Sequence, residues 1–517
     1  MTRLVGRSPA ARTDSPQAWT RRRCAVATLP AVPADAEVVL TDHGLSADEV
    51  VRVARGGARA ALGPSAREAM AASAALIEGF LAADEPVYGV TTGFGSLATT
   101  SIPVERTAEL QLALIRSHAA GMGDEVEREV VRAMVLLRAR SLAMGCSGAR
   151  PEVADGLLAL LNAGLTPVVH EHGSLGASGD LAPLAEAALV LIGEGEVRDA
   201  DGSLRSAADA LAAAGLAPVV LRAKEGLALI NGTDGILGML VLALADLRRL
   251  LKVADLTGAM SVEALLGTDR AFAADLQALR PQPGQAVSAA NLRRLLAGSA
   301  IVASHREGDP RVQDAYSLRC SPQVHGAARD TIAHAETVAG HELLAAIDNP
   351  MVLPDGRVES CGNFHGAPLA FACDFLAVAV AEVGAIAERR TDRMLDAKRS
   401  QGLPPFLADD PGVDSGLMIA QYTSAGIVSE LKRLAVPASV DSIPSSAMQE
   451  DHVSMGWSAA RKLGRAVAGA VVAALVDAGA SRPGGDRWLS PEIEVAHRLV
   501  VDGTVRRAAE SEAGPLA

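Results

Sequence analysis

The feature that most constrains the fold is a succession of long apolar patterns with helical spacing, separated by glycine-rich loops. Apolar side chains recur every three to four residues over 104–120, 125–143, 151–163 and 367–396, as they do on the buried face of a helix. Aromatic residues make up 3% of the chain, less than a large β-sandwich or barrel places in its strands. These patterns predict a mainly α fold, a large bundle of long helices with a smaller mixed portion at its N-terminal end.

Four portions are expected along the chain. Residues 1–36 are rich in Arg, Pro, Ala and Ser and lack periodicity, which predicts a disordered arm or a start codon assigned too far upstream. Residues 37–220 contain two glycine-rich loops, 221–463 form the central helical bundle, and 464–517 form a short helical tail. Near the start of the second portion, Ser46 precedes a glutamate at the spacing of a capping box, which predicts a helix N-terminus.

Composition and charge exclude several classes of protein. The chain has 48 basic and 61 acidic residues, a net charge of −13, whereas a nucleic-acid-binding surface would be basic. Its five cysteines show no C-x-x-C spacing, and His170, His172 and His365 are interpreted as structural because no third metal ligand is evident. No uninterrupted apolar run reaches about 18 residues. We therefore expect a cytoplasmic protein without a metal, a nucleic-acid partner or a membrane anchor.

The most unusual segment is the loop Gly-Ser-Leu-Gly-Ala-Ser-Gly-Asp at 173–180. It can be interpreted as a loop that leads into a helix with Asp180 as N-cap. It fits neither a phosphate-binding loop nor a dinucleotide fingerprint. A third interpretation is chemical: the amide nitrogen of Gly179 can attack the carbonyl of Ala177, and loss of two waters, one from Ser178, leaves a conjugated alkene. That product is an electrophile, which ordinary side chains do not supply.

Residues 173–185 resemble the signature of the ammonia-lyases and aminomutases that use a self-formed methylidene-imidazolone (MIO) group. The segment 87–95, Val-Tyr-Gly-Val-Thr-Thr-Gly-Phe-Gly, resembles the catalytic tyrosine loop of the same family. Further likeness lies in the motifs at 229–233, 311–320, 348–350, 362–365 and 449–455. The resemblance covers roughly residues 37–463. It implies an MIO group formed from Ala177, Ser178 and Gly179, no external cofactor, and a homotetramer whose active sites use more than one chain.

Two segments resemble the histidine-specific members of the family: Ser-His-Ala-Ala-Gly at 117–121 and Gln-Glu-Asp-His at 449–452. They imply non-oxidative deamination of L-histidine to trans-urocanate and ammonia, the first step of histidine degradation. A tyrosine ammonia-lyase or aminomutase is the alternative, because such enzymes can share a histidine at the position of His118. A degenerate, non-catalytic member is a third interpretation, because a helical segment is missing after Leu463 and Glu186 replaces the usual histidine.

The resemblance implies roles for the residues on the imidazole side of the site. Tyr88 would be the base that removes the β-proton of the substrate. His118 would contact the substrate imidazole, and Glu450 would accept its ring N–H and assist as a base. Asp180 would position the loop for ring closure.

The resemblance also implies roles around the substrate amine and carboxylate. Arg319 would clamp the carboxylate, for which a guanidinium fork is suited. Tyr316, Gln313 and Asn231 would line the MIO group and the amine, and Phe364 would flank the electrophile. Gln313, Tyr316 and Arg319 recur every third residue, which predicts one shared face of a helical turn.

Overall fold

The computed structural model of the protein describes residues 36–83, 88–175, 178–479, 498–499 and 503–517. The arm predicted at 1–36 lies outside these residues except for its last position. Ala177, the first residue of the predicted MIO triad, also lies outside them.

Helices dominate the described residues, which confirms the predicted mainly α fold. They are α1 Ala47–Ala54, α2 Pro64–Ala82, α3 Thr107–His118, α4 Arg128–Ala143, α5 Pro151–Asn162, α6 Leu181–Leu191, α7 Ala207–Ala213, α8 Glu225–Ile230, α9 Asp234–Ala264, α10 Ala274–Ala278, α11 Pro283–Leu295, α12 Ala300–Ser304, α13 Tyr316–Arg319, α14 Ser321–Glu342, α15 Ala367–Leu395, α16 Met418–Leu434, α17 Gly456–Gly479 and α18 Thr504–Ala513. Short 3₁₀ turns cover Gly95–Leu97, Val104–Arg106, Arg270–Phe272, Pro405–Leu407 and Ser446–Met448.

Short strands supply the mixed portion. They are β1 Val38–Leu40, β2 Ala60–Leu62, β3 Met122–Glu125, β4 Thr166–Pro167, β5 His170–His172, β6 Glu196–Arg198, β7 Leu204–Ser206, β8 Met351–Val352 and β9 Val358–Glu359. β1 pairs with β2 in parallel, while β3 with β5, β4-β6-β7, and β8 with β9 form antiparallel sheets. Sheets of two or three strands cannot bury a core alone, so the helices provide it.

Local sequence explains where several helices begin. Ser46 accepts the N–H of Glu49, and the Glu49 carboxylate accepts the N–H of Ser46, which is the predicted capping box at the start of α1. Pro64, Pro151 and Pro283 each occupy the first turn of a helix, where the missing N–H costs no intrahelical bond.

The long helix α9 forms the centre of the bundle and packs against α4, α14, α15 and α17. Glu225–Ala264 and Ala367–Leu395 are long and apolar enough to cross a membrane by length and composition. The apolar window is wholly buried in the first and 61% buried in the second. Both segments are therefore core helices of the bundle.

Three helices bring separate parts of the sequence to one place. α3, α6 and α8 pack against one another in pairs. The C-terminal residue of α3 is His118, α6 begins directly after Asp180, and Asn231 caps the C-terminus of α8. Three predicted site residues therefore lie at the ends of one packed group of helices.

Candidate active site

Ser178 lies in a tightly packed backbone cradle. Its side chain is fully buried, and its Oγ has no hydrogen-bond partner among the described residues. Gly179 has a φ of 96°, and a Cβ there would lie 3.0 Å from Ile236 Cδ1. A Cβ on Gly366 would lie 3.0 Å from the carbonyl oxygen of Ser178. Glycine is thus favoured at 179, where the backbone is left-handed in a confined space, and at 366, where a Cβ would crowd the Ser178 carbonyl.

Asp180 acts on a different helix from the one predicted. It stands at the N-cap of α6 but makes no side-chain bond there. Its Oδ2 instead accepts the N–H groups of Gly235 at 2.7 Å and Ile236 at 3.1 Å, in the first turn of α9. The N-cap position of Asp180 is therefore confirmed for α6, but its side chain caps α9, whose buried first-turn donors need an acceptor.

Burial raises the pKa of Asp180 well above its usual value, and the nearby charge of Asp234 adds to the effect. Burial therefore favours the protonated form of the carboxyl group. Its Oδ1 has no hydrogen-bond partner among the described residues. A carboxyl group with a raised pKa thus lies two residues after Ser178.

The tyrosine loop places Tyr88 against Phe94 and close to the segment of Glu450. The Tyr88 Oη accepts the N–H of Gly95 at 3.1 Å, and its ring meets Phe94 edge to face at 6.4 Å. Gly89 has a φ of 67°. A Cβ on Gly95 would lie 3.6 Å from Glu450 Oε1. Tyr88 and Glu450 therefore lie on two loops that touch.

A strained turn holds Glu450. The backbone has positive φ at each of residues 446–448, a costly conformation for residues other than glycine that occurs often at functional sites. The N–H of Ser96 donates to Ser446 Oγ at 3.1 Å, which ties the turn to the tyrosine loop. Ser445 Oγ donates to Glu450 Oε2 at 2.6 Å, so one carboxylate oxygen is fixed within the turn.

His118 presents an acceptor nitrogen. Its Nδ1 lies 2.9 Å from the carbonyl oxygen of Leu114. A carbonyl only accepts, so Nδ1 carries the hydrogen, and Nε2 of the neutral ring is an acceptor. Burial lowers the pKa of His118, against an opposing effect of the Glu450 charge. The Glu450 carboxylate therefore lies near enough to His118 for its charge to act on the ring.

Asn231 is held at both its backbone and its side chain. Its Nδ2 donates to Asn349 O at 3.0 Å and lies 3.4 Å from Asp348 Oδ1. Its carbonyl oxygen accepts from Arg138 at 2.9 Å. The buried amide is thus fixed next to α6 and α3.

Phe364 belongs to the segment that connects Asn349 with Ser178. The N–H of Cys361 donates to Asn349 Oδ1 at 2.9 Å, and Gly366 packs on the Ser178 carbonyl. Phe364 lies between Cys361 and Gly366 in the sequence, and its side chain is half-buried. It is therefore placed on the Ser178 side of the molecule.

Arg319, Tyr316 and Gln313 lie at the other end of α9. Asp314 Oδ2 accepts the N–H of Thr268, just beyond the C-terminus of α9, at 2.7 Å. The Arg319 Nε donates to Asp314 O at 3.0 Å, and its guanidinium lies 4.6 Å from the Tyr316 ring centre. Tyr316 is 70% exposed and Gln313 is also exposed. The predicted shared turn holds for Tyr316 and Arg319, whereas Gln313 precedes α13.

The two groups of site residues are far apart within one chain. Ser178 packs beside Ile236 in the first turn of α9, and Arg319 lies beyond its last residue, Ala264. At 1.5 Å per residue, the helix places about 42 Å between these ends. A cavity of about 1010 Å³ between α1, α4, α9 and α17 is lined by none of these residues.

Glu186 has a defined partner in this chain. Its carboxylate accepts the backbone N–H of His170 at 2.9 Å and pairs with His170 Nδ1 at 2.9 Å. A Cβ on Gly121 would lie 2.5 Å from the same carboxylate. The contact agrees with the structural interpretation of His170, and it links α6 to the segment that follows His118.

Sequence reasoning missed a buried ion pair next to Asn231. Lys224 Nζ lies 2.7 Å from Asp348 Oδ2, and both side chains are fully buried. Asp348 belongs to a motif visible in the sequence. Lys224 gave no signal, because nothing in the sequence distinguishes it from an exposed lysine.

The chain belongs to the aromatic amino acid lyase family, whose model matches residues 45–476, which confirms the predicted family and the carbon–nitrogen lyase class. It is 59% identical to histidine ammonia-lyase of Streptomyces griseus over 93% of this chain and 99% of that protein. Its fold is similar to tyrosine aminomutase from Streptomyces globisporus, with a TM-score of 0.87, 34% identity and coverage of 93% and 100%. It is also similar to histidine ammonia-lyase from Trypanosoma cruzi, with a TM-score of 0.84, 36% identity, and coverage of 93% of this chain and 96% of that chain.

The alignment with the Streptomyces griseus protein also shows an internal loss. It spans 511 positions, but 93% of the 517 residues here is about 481, so about 30 positions of that protein have no counterpart in this chain. The number suits the loss of a helical segment. Its location after Leu463 stays a prediction.

Proposed function

We propose that the protein is a histidine ammonia-lyase, which converts L-histidine to trans-urocanate and ammonia. The observation that carries the proposal is the position of the Glu450 carboxylate, which lies against the tyrosine loop and close enough to His118 for its charge to act on the pKa of that ring. A carboxylate accepts the ring N–H of a histidine substrate, and a protonated substrate ring has a second N–H for His118 Nε2. A phenol has one O–H and no second donor.

The residues present fit an MIO group at Ala177, Ser178 and Gly179. Ser178 Oγ is buried and unpaired among the residues that the structure describes, as expected for a hydroxyl that is lost as water on ring closure. The left-handed Gly179 allows a compressed backbone, and the raised pKa of Asp180 favours a carboxyl group that can donate to a departing oxygen. When formed, the group supplies an electrophilic alkene that takes up the α-amine of the substrate.

Side chains of the protein carry out proton removal and substrate binding. Tyr88 Oη takes the β-proton, with its oxygen oriented by the Gly95 N–H. Asn231 would accept from the α-amine. His118 and Glu450 hold the imidazole, so that the reacting carbons are kept between the base and the electrophile.

A second copy of the chain supplies the carboxylate clamp. Arg319 and the exposed Tyr316 lie about 42 Å along α9 from Ser178, too far to touch the same amino acid. Antiparallel packing of α9 helices from two copies would bring the Arg319 end of one against the Ser178 end of the other. We propose a cytoplasmic homotetramer with such composite sites.

A tyrosine lyase or aminomutase is the second candidate, favoured by the similarity to the Streptomyces globisporus tyrosine aminomutase. Purified protein is mixed with L-histidine, and urocanate is followed by its ultraviolet absorbance. L-Tyrosine and L-phenylalanine are tested in parallel, with Ser178→Ala as the inactive control. Urocanate from the wild type alone supports the proposal, whereas product from L-tyrosine but not L-histidine refutes it. No product, together with an intact mass that retains both waters, would favour a non-catalytic member.

A further inference from the structure

The buried ion pair of Lys224 and Asp348 lies directly behind Asn231. Lys224 precedes α8, whose C-terminus Asn231 caps. Both charged side chains are fully buried, and Lys224 has a φ of 67°, which is unfavourable for a lysine. A well-packed apolar pair of similar volume is often as stable as a buried ion pair. Stability alone therefore does not explain why charges stand here.

The Asp348 carboxylate receives three donors. Lys224 Nζ lies 2.7 Å from its Oδ2. Its Oδ1 accepts the N–H of Asn349 at 2.7 Å and lies 3.4 Å from Asn231 Nδ2. Only a carboxylate offers acceptors on both sides, because an amide would turn an NH₂ group toward one set of donors.

These contacts decide which end of the Asn231 amide faces the substrate. The two groups next to its Nδ2, the Asp348 carboxylate and the carbonyl of Asn349, cannot donate. The NH₂ group must face them, and Oδ1 must point the other way. In that orientation Oδ1 of Asn231 can accept a hydrogen bond from an amine, whereas an NH₂ group in its place would set donor against donor.

We propose that Lys224 and Asp348 are positioning residues that fix the Asn231 amide with its oxygen toward the α-amine of the amino acid substrate. The inference rests on the proposed function, because it assumes that Asn231 meets the amine. Lys224 supplies the counter-charge of the fully buried Asp348 carboxylate, and Asp348 fixes Asn231.

The test compares Asp348→Asn with the double variant Lys224→Met/Asp348→Asn. In the single variant, the Lys224 ammonium can only donate, so it binds the oxygen of the introduced amide. The new NH₂ group then faces two other donors, the N–H of Asn349 and the NH₂ of Asn231. In the double variant, the methionine at position 224 has no N–H to donate. The introduced amide can then rotate so that its oxygen accepts from Asn231. We expect kcat to fall about tenfold or more in the single variant, with KM changed less, and to recover to within about threefold of wild type in the double variant.

A merely structural role predicts the same order of stability, because the single variant leaves Lys224 as an unpaired buried charge. The melting temperatures are therefore measured as well, and kcat is compared at a temperature at which both variants are fully folded. Equal or lower kcat in the double variant, or a single variant with wild-type kcat, would overturn the inference. Glu225→Gln is the matched control: it removes a fully buried carboxylate from α8 that pairs with Arg150 and does not contact Asn231. It is expected to lower thermal stability and keep kcat.

Two further comparisons keep the test decisive. If Asp348→Asn does not fold, Lys224→Met/Asp348→Leu is compared with Lys224→Met/Asp348→Asn, both uncharged; the leucine form lacks an acceptor and is expected to have the lower kcat, and equal values would overturn the inference. A wild type active on L-tyrosine but not L-histidine refutes only the proposed function, and the variants are then compared on L-tyrosine. A wild type without turnover on either amino acid overturns both.

Discussion

Mixing two inactive variants should restore activity, because the site is divided between the ends of α9. Ser178→Ala removes the electrophile, and Arg319→Ala removes the carboxylate clamp, which we expect to lower kcat/KM by roughly 30-fold or more. The two positions lie about 42 Å apart along α9 in one chain. When both variants are co-expressed in equal amounts and assemble at random, half of the sites have an intact Ser178. Independently, half have an intact Arg319, so about one quarter of sites are complete.

The assay is urocanate formation by the co-expressed pair, normalised to wild type. About one quarter of the wild-type rate is expected, against nearly none for either variant alone. The matched control pairs Ser178→Ala with Tyr88→Phe. These residues lie in the same half of the site, so no assembled site recovers both. A Ser178→Ala and Arg319→Ala mixture no more active than the sum of its parts would refute the division of the site between copies.

Four other outcomes follow from the local contacts. Glu450→Gln keeps the size of the side chain but loses the charged acceptor, so kcat/KM for L-histidine should fall about 10- to 100-fold with an unchanged melting temperature; a wild-type value would contradict imidazole recognition by Glu450. Because burial lowers the pKa of His118, the ring stays neutral as the pH falls to its ordinary pKa of about 6.5, so any acid limb of kcat/KM that His118→Gln abolishes should lie below that pH. Asp180→Ala leaves two buried N–H groups of α9 without an acceptor and should cost about 2–6 kcal/mol in urea unfolding, whereas Asp180→Asn should keep most of that stability. Because the pKa of Asp180 is raised, its folded state binds the proton more tightly than the unfolded state; its contribution to stability should therefore decline as the pH rises above about 3.9, so wild type should lose stability relative to Asp180→Asn over that range.

The helical fold could be predicted because its signals are local. The apolar spacing at 367–396 and the capping box of Ser46 and Glu49 depend on residues a few positions apart, and the structure shows both. Asp180 was predicted less well for the same reason. A short polar residue before a helix usually caps that helix, and only the fold, which brings Asp180 to the first turn of α9, shows that a different helix needs the acceptor. The Lys224 ion pair is a long-range contact of the same kind, across 124 positions.

The division of the site follows from the length of α9. A helix of 31 residues can support recognition groups at both ends, but one chain cannot close them around a small amino acid. The electrophile, by contrast, requires three consecutive residues, and Asp180, the group placed to assist ring closure, is in the same chain. Formation of the electrophile and its use therefore depend on different levels of structure: the first on the folded chain, the second on assembly. An isolated chain could form the reactive group yet lack the carboxylate clamp, which would limit turnover before the oligomer is complete.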